Sequence, residues 1–441
     1  MRLLHSPVHS FHYRDGKLHC EDVDLADAAK RFGTPLYIYS AGTILDHFTR
    51  MDAALASLDH LICYAVKANS NRAILKLLSQ AGAGFDIVSG GELFRVIKAG
   101  ADPGKCTFAG VGKTRAEIEY ALDQGVHSFN IESESELETI NRIAAEKKSR
   151  APIALRVNPD VDPHTHKYIS TGSHENKFGI ALTEARAVYE RAAKLANIEI
   201  VGVQMHIGSQ ITEAEPFALA IEKVAPLVRD LKSSYNIKFF SIGGGMGIIY
   251  RRALESGSGK WWHEHDGEPS AFSVSDYANA IVPPLRDLNI RVLIEPGRFL
   301  VGNAGALLTR VLYLKKSGTK TFAITDAGMN DLIRPALYQG YHEIVPVEKS
   351  VGEAASFPPS NSKVDIVGPV CESGDFFAHD REMPEPHEGH LLAIMSAGAY
   401  GFVMASNYNS RPLPAEVLVR GKQVSLIRKR QTWEDLVRDE A

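Results

Sequence analysis

Apolar positions in the middle of the chain follow two alternating rhythms. Short, nearly continuous apolar runs begin at Leu61 (LICYAVK), Gly84 (GFDIVS), Lys105 (KCTFAG), His127 (HSFNIE), Pro152 (PIALRVN), Ile200 (IVGVQMHIG), Lys238 (KFFSIGGG) and Arg291 (RVLIEPG). Between them stand segments such as NRAILKLLSQAG, GELFRVIKAG, TRAEIEYALDQG and SELETINRIAAEKK, whose apolar residues recur every three or four positions and which often end on glycine. That spacing with that stop predicts helices. Strand then helix, eight times over, predicts an α/β fold with a (β/α)8 barrel of the TIM type. Strands without polar alternation fit a parallel sheet buried on both faces.

Past roughly residue 300 the rhythm changes. ALLTRVLYLKK, KTFAITDAG, KVDIVGPV, LLAIMSAGAYG and QVSLIRKR are separated by Pro and Gly, and helical periodicity is scarce. A second, mostly β domain (sandwich or barrel) is expected there. It takes in the N-terminal hairpin FHYRDGKLHC, where Asp15-Gly16 supplies the turn. The expected organisation is an N-terminal segment 1–34 packing with the β domain, a barrel over 35–300, and the β domain over 301–441.

A chain of 441 residues with 44% hydrophobic and 23% charged positions has ample material for two cores. Its formal charge of -4 gives no chain-wide attraction to nucleic acid or anionic membrane, so a small-molecule partner is expected. The opening MRLLHSPVHSFHYRDG has no signal-like apolar core, and no stretch approaches the roughly 18 apolar residues of a spanning helix, so a cytoplasmic location is expected. The four cysteines, Cys20, Cys63, Cys106 and Cys371, lie far apart and form no C-x-x-C pair, which suggests neither a disulfide framework nor a zinc site.

Barrels of this kind carry their chemistry where the carboxyl ends of the strands converge. Six of the eight expected strands end in polar or glycine-rich residues: Lys67; Asp86 with Ser89; Arg156; His206 with Ser209; Gly243-Gly244-Gly245; and Glu295 with Arg298. Singly, a strand-end lysine is most often a snorkelling surface group and a strand-end histidine a satisfied core group. Their shared rim shifts the balance. Consecutive glycines let backbone N–H groups approach a phosphate, and phosphate sites in such barrels commonly follow strands seven and eight. An amine partly withdrawn from water and close to other cations has a lowered pKa and attacks carbonyls. An aldimine-forming Lys67, a glycine cradle, a stacking His206 and a Glu295 carboxylate for a ring nitrogen together describe a pyridoxal-phosphate site.

YAVKAN, GFDIVSGGEL, HIGSQ, GGG, EPGR, CESGDF and GAYGF resemble, in order, the motifs of the fold-type III pyridoxal-phosphate decarboxylases, with an alanine-racemase-like barrel and a C-terminal β domain. Within that family, DAGMNDLIRPALYQGYHEI and GPVCESGDFF resemble the diaminopimelate decarboxylases, and the likeness runs from about Pro35 to Val419. The resemblance implies decarboxylation of meso-2,6-diaminopimelate to L-lysine and CO2 with pyridoxal 5'-phosphate, in a homodimer with shared active sites. It gives Lys67 the cofactor aldehyde, His206 the ring face, and Glu295 the pyridine nitrogen. Asp86 would join this cofactor set, and Arg156 would stand beside the lysine and the phenolate. Ser209, Gly243, Gly244, Gly245 and the stretch Glu295, Pro296, Gly297, Arg298 would surround the phosphate. Arg298, Arg334 and Tyr338 would hold substrate carboxylate, Glu372 the distal amine, and Tyr400 both cofactor and substrate. Cys371 would deliver a proton from the second subunit. A planar Arg fork suits carboxylate and a Glu suits an amine, so the residue types agree with such a substrate.

Other motifs carry less. FAGVGKT lacks a P-loop's first glycine, because Thr107 stands at that position. GGGMG fails the dinucleotide fingerprint at Ile248. PHTHK (His164, His166) and HEHD (His263, His265) lack helical ligand spacing, so no metal is expected, and HTHKYISTG resembles a family loop near the active site. The alternatives are an arginine- or ornithine-type decarboxylase, an amino-acid racemase of the same fold, and a non-catalytic, cofactor-binding regulatory homologue.

Overall fold

A computed structural model describes residues 8–162, 177–257, 273–349, 363–384 and 386–441. The histidines of PHTHK and HEHD and the HTHKYISTG stretch lie outside the described residues. Two compact units emerge: Leu45–Ile248 with Pro269–Leu300, and Met1–Ile44 with Ile249–Glu268 and Val301–Ala441.

The first unit is the barrel. Its strands are β1 (His60–Ala65), β2 (Gly84–Ile87), β3 (Cys106–Phe108), β4 (Ser128–Ile131), β5 (Ala151–Asn158), β6 (Ile198–Met205), β7 (Phe239–Ser241) and β8 (Arg291–Ile294). Each pairs in parallel with the next, and β8 pairs with β1, so the sheet closes. All eight are strands that the apolar runs predicted. Nearly every strand residue is buried, as a sheet lined by helices outside and side chains inside requires.

Side-chain caps start the helices just past the strand ends. Asn71, Ser89, Thr114 and Ser133 accept hydrogen bonds from the backbone N–H of Ala73, Glu92, Glu117 and Glu136, opening helices Arg72–Gln80, Gly90–Lys98, Arg115–Gln124 and Glu134–Glu146. Each cap is worth about 1 kcal/mol. Ser89, grouped by sequence with the polar rim, is thereby engaged as a cap.

In the second unit the hairpin forms as expected: Phe11–Arg14 pairs antiparallel with Lys17–Cys20, with Asp15 and Gly16 both at positive φ. Those dihedrals match the right-handed twist of the strands. Leu18 N–H donates to Val347 O at 2.8 Å, and Phe11, Leu18 and Cys20 join a core with Leu36, Ile38, Leu308, Val345 and Val417. The long β9 (Gly305–Ser317) organises the rest. Its first half pairs with strand Leu36–Ser40 and with Leu391–Ile394, and its second half with Lys320–Thr325. Leu36–Ser40 also runs parallel to Ala415–Arg420. The unit is therefore mostly β, and it includes a strand just beyond the expected 34/35 boundary and the described stretch 249–257. No helix among the described residues is long and apolar enough to cross a membrane.

Candidate active site

The barrel's polar residues gather at the carboxyl ends of its strands. Lys67 lies in the single turn Val66–Ala68 that ends β1, and its Nζ donates to Asp86 Oδ2 on β2 at 2.7 Å. Asp86 is buried at 1% side-chain exposure while Lys67 keeps 39%, so the pair opens outward through the amine. The hydrogen-bonded carboxylate fixes the ammonium's position.

Glu295 follows β8 and is buried. Ser241 Oγ donates to its Oε1 at 2.7 Å and Gln204 Nε2 to its Oε2 at 3.0 Å, so both oxygens are aimed. Burial, then the Asp86 charge, raises its pKa to about 7, against the hydrogen bonds and the Lys67 charge. His206, just past β6, is pushed well below the ordinary histidine range by burial, then by the Arg156 and Lys67 charges. It is neutral near pH 7. Gly244 N–H donates to its Nδ1 at 3.3 Å, which leaves the ring proton on Nε2.

The glycine run is sterically required. A Cβ at Gly244 would lie 2.1 Å from Glu295 O, and Gly243 and Gly245 have φ of +71° and +117°. Glu295 N–H donates to Gly243 O at 2.8 Å, and Ile211 N–H to Gly245 O at 3.0 Å, so the run is stitched to its neighbours. Pro296 O accepts from Ala65 N–H at 3.0 Å, and a Cβ at Gly297 would touch the methyls of Ala65 and Ala68 at 3.1 Å. Arg298 Nη2 donates to Ser209 Oγ at 3.1 Å.

Arg156 on β5 is held by a residue that sequence reasoning passed over. Its Nη1 donates to Glu132 Oε1 at 3.2 Å, and its guanidinium lies 4.8 Å over the Phe178 ring. Glu132 also accepts from Gly110 and Gly179 N–H, each at 2.9 Å, while its own N–H donates to Glu136 Oε2 at 2.7 Å. Lys113, the lysine of the rejected P-loop motif, has a fully buried side chain. It donates to Glu136 Oε1 at 2.6 Å and to the carbonyls of Gly110 and Asn130. AGVGKT therefore braces the rim through Glu136 and Glu132. The available signals were Glu132 at the end of HSFNIE, and Gln204 two residues before His206 on the same strand face.

Arg334, Tyr338, Cys371, Glu372 and Tyr400 belong to the β unit. Arg334 and Tyr338 open and close the short helix Arg334–Tyr338. Cys371 and Glu372 are exposed on a turn tied down by Asp375, whose carboxylate accepts from Met329 and Val370 N–H, both at 2.6 Å. Cys371 N–H itself donates to Asn409 Oδ1 at 2.9 Å. Tyr400 is half-buried at a positive φ of +54°, a conformation uncommon for a non-glycine residue and frequent at functional sites. All four cysteines are free thiols.

Residues 41–302 match the family described as pyridoxal-dependent decarboxylase, pyridoxal binding domain. A diaminopimelate decarboxylase from Pseudomonas aeruginosa is 50% identical over 98% of this chain and 99% of its own. One from Aquifex aeolicus is 48% identical over 99% of each. The chain belongs to the diaminopimelate decarboxylase family. Among solved structures of the family, the Helicobacter pylori enzyme complexed with L-lysine is 41% identical, with a TM-score of 0.85 over 94% of this chain and 98% of its own.

The barrel rim fits the family's pyridoxal cofactor on its own geometry. The glycine run leaves backbone where any side chain would collide, as a phosphate cradle requires. Arg156 Nε and Nη2, both buried, have no hydrogen-bond partner among the described residues, so donors stand ready for an anionic ligand oxygen. The Glu295 carboxylate, held by Ser241 and Gln204, would suit a ring nitrogen, and the half-exposed Lys67 amine an aldehyde.

Proposed function

We propose that this chain decarboxylates meso-2,6-diaminopimelate to L-lysine and CO2, the closing step of lysine biosynthesis, as a cytoplasmic homodimer. The observation that carries the reading is near-full-length identity of about half to diaminopimelate decarboxylases, together with a barrel rim whose amine, carboxylate and glycine run suit the cofactor. When bound, pyridoxal 5'-phosphate supplies an aldehyde that condenses with amines and a ring that takes up the electrons left by departing CO2.

The chain's residues supply position and protons. Lys67 would hold the cofactor at its aldehyde, with Asp86 orienting the amine. Glu295, its two oxygens held by Ser241 and Gln204, would accept a hydrogen bond from a protonated ring nitrogen. The neutral imidazole of His206 covers the ring face without adding positive charge. Ser209, the backbone of Gly243, Gly244 and Gly245, and the stretch Glu295 to Arg298 would receive the phosphate, and Arg156 would donate to the phenolate.

For the substrate, Arg298, Arg334 and Tyr338 bind carboxylate and Glu372 binds the distal amine. Tyr400 contacts cofactor and substrate. The Cys371 thiol protonates the alpha carbon after CO2 leaves, and it reaches the site from the partner subunit. An exposed thiol at a tied-down turn is compatible with such delivery.

The test is CO2 release by the purified protein, with and without added cofactor, from meso-diaminopimelate, L-ornithine and L-arginine. Turnover of meso-diaminopimelate at least a hundredfold above the others is expected. Faster release from ornithine, or interconversion of D and L amino acids without CO2, would replace the proposal.

A further inference from the structure

His342 is a buried histidine with no part in the chemistry above. Its Nδ1 lies 2.8 Å from the carbonyl oxygen of Met395, and its Nε2 lies 2.7 Å from Nη1 of Arg334. The first partner can only accept and the second can only donate. Both contacts are satisfied by one form of the ring: the neutral imidazole with its proton on Nδ1 and a lone pair on Nε2 facing the guanidinium.

The clamp has a second jaw. Arg334 lies with its guanidinium carbon 4.6 Å over the Tyr250 ring, and Tyr250 meets His342 edge to face at 5.3 Å. An edge contact through Nη1 and a face contact through Tyr250 fix both the position and the plane of the guanidinium. The chain turns back sharply to allow this. Gln339 adopts a left-handed conformation at the end of helix Arg334–Tyr338, and Gly340 N–H returns to Arg334 O at 3.2 Å. Met395 N–H donates to Glu343 O at 2.8 Å, which holds the backbone beside His342 against the residue that follows strand Leu391–Ile394.

The geometry points to His342 as a positioning residue for substrate selection: it holds the Arg334 fork in the orientation that receives the distal carboxylate. The inference rests on the reading of Arg334 as a carboxylate ligand. An arginine loose about its side-chain torsions still attracts an anion, but loses the fixed orientation that makes two parallel hydrogen bonds. His342 therefore acts on binding of the carboxylate rather than on the bond-breaking step.

Three variants of the holoenzyme separate the possibilities: His342→Leu, His342→Gln and Arg334→Lys. The readouts are KM and kcat for meso-diaminopimelate, and calorimetric Kd values for L-lysine and 1,5-diaminopentane, a diamine with no carboxylate. Loss of a hydrogen bond to a charged group predicts that His342→Leu raises KM and the L-lysine Kd about 10- to 100-fold. It should leave kcat within about threefold and diaminopentane binding unchanged. His342→Gln, whose amide can accept from Arg334 and donate to Met395 O, should recover most of the loss. An L-lysine Kd within twofold of wild type in His342→Leu, with Arg334→Lys weakened tenfold or more, overturns the positioning role and leaves the Arg334 reading intact. An unchanged Kd in Arg334→Lys overturns both. Should His342→Leu fail to fold, His342→Asn, too short to reach both partners, takes its place with the same expected outcomes.

Discussion

Ser241→Ala removes one of the two hydrogen bonds that hold the Glu295 carboxylate, and its consequence can be worked through from the structure. Glu295 titrates near pH 7 because burial and Asp86 raise it while Ser241, Lys67 and Gln204 pull it back. A hydrogen bond to a charged group contributes about 1.5–3 kcal/mol, and one pH unit corresponds to about 1.4 kcal/mol, so its loss moves the titration about one to two pH units higher. A higher pKa means the neutral acid persists to higher pH, the reverse of what a ring-nitrogen partner needs. At pH 7 the ionised fraction falls from about half to roughly 1–10%, and affinity for pyridoxal 5'-phosphate falls about 5- to 50-fold if the carboxylate is the binding form. Binding should recover as pH approaches about 9. Titration of apoprotein with cofactor, followed by absorbance between about pH 6 and 9, measures this directly. Superimposable profiles for Ser241→Ala and wild type would refute the hydrogen-bonded carboxylate as the group that controls cofactor affinity.

Gly244→Ala places a methyl 2.1 Å from Glu295 O, a backbone atom that cannot swing away, so cofactor absorbance should be lost even in a folded protein; retained stoichiometric binding would remove the glycine run from the phosphate site. Lys113→Met leaves buried Glu136 without its cation and should cost about 3–5 kcal/mol, seen as a lower denaturation midpoint of the apoprotein, and a loss below about 1 kcal/mol would show that the network braces nothing. Cys371→Ala touches an exposed side chain, so stability and cofactor absorbance should hold while turnover falls at least a hundredfold; unchanged turnover would move the proton-donor role elsewhere.

The strand–helix alternation was legible in the sequence because both periodicities are local. A strand buried on both faces must be apolar throughout, and a helix must place apolar residues every three or four positions to cover it. Asp15-Gly16 likewise declared its hairpin through residues that tolerate positive φ. Lys67, Glu295 and the glycine run were recognisable because each stands where a predicted strand ends. Strands of the β unit such as Ile344–Pro346, Phe376–Glu382 and Ala415–Arg420 went unnoticed. Pairing with distant partners defines them better than local pattern does.

Only the closed tertiary structure decided what each polar residue faces. Leu36–Ser40 reads as the start of the barrel, yet its hydrogen bonds run to strands beginning at Gly305 and Ala415. Lys67 meets Asp86 nineteen positions on, and Glu295 meets Gln204 and Ser241 from two other strands. Arg156 depends on Glu132, and Arg334 on His342. Periodicity fixes which way a side chain points from its own strand or helix. Barrel closure and the turn after Tyr338 determine which polar groups then meet, and the pKa shifts of Glu295 and His206 follow first from the burial this brings and then from the charges gathered nearby.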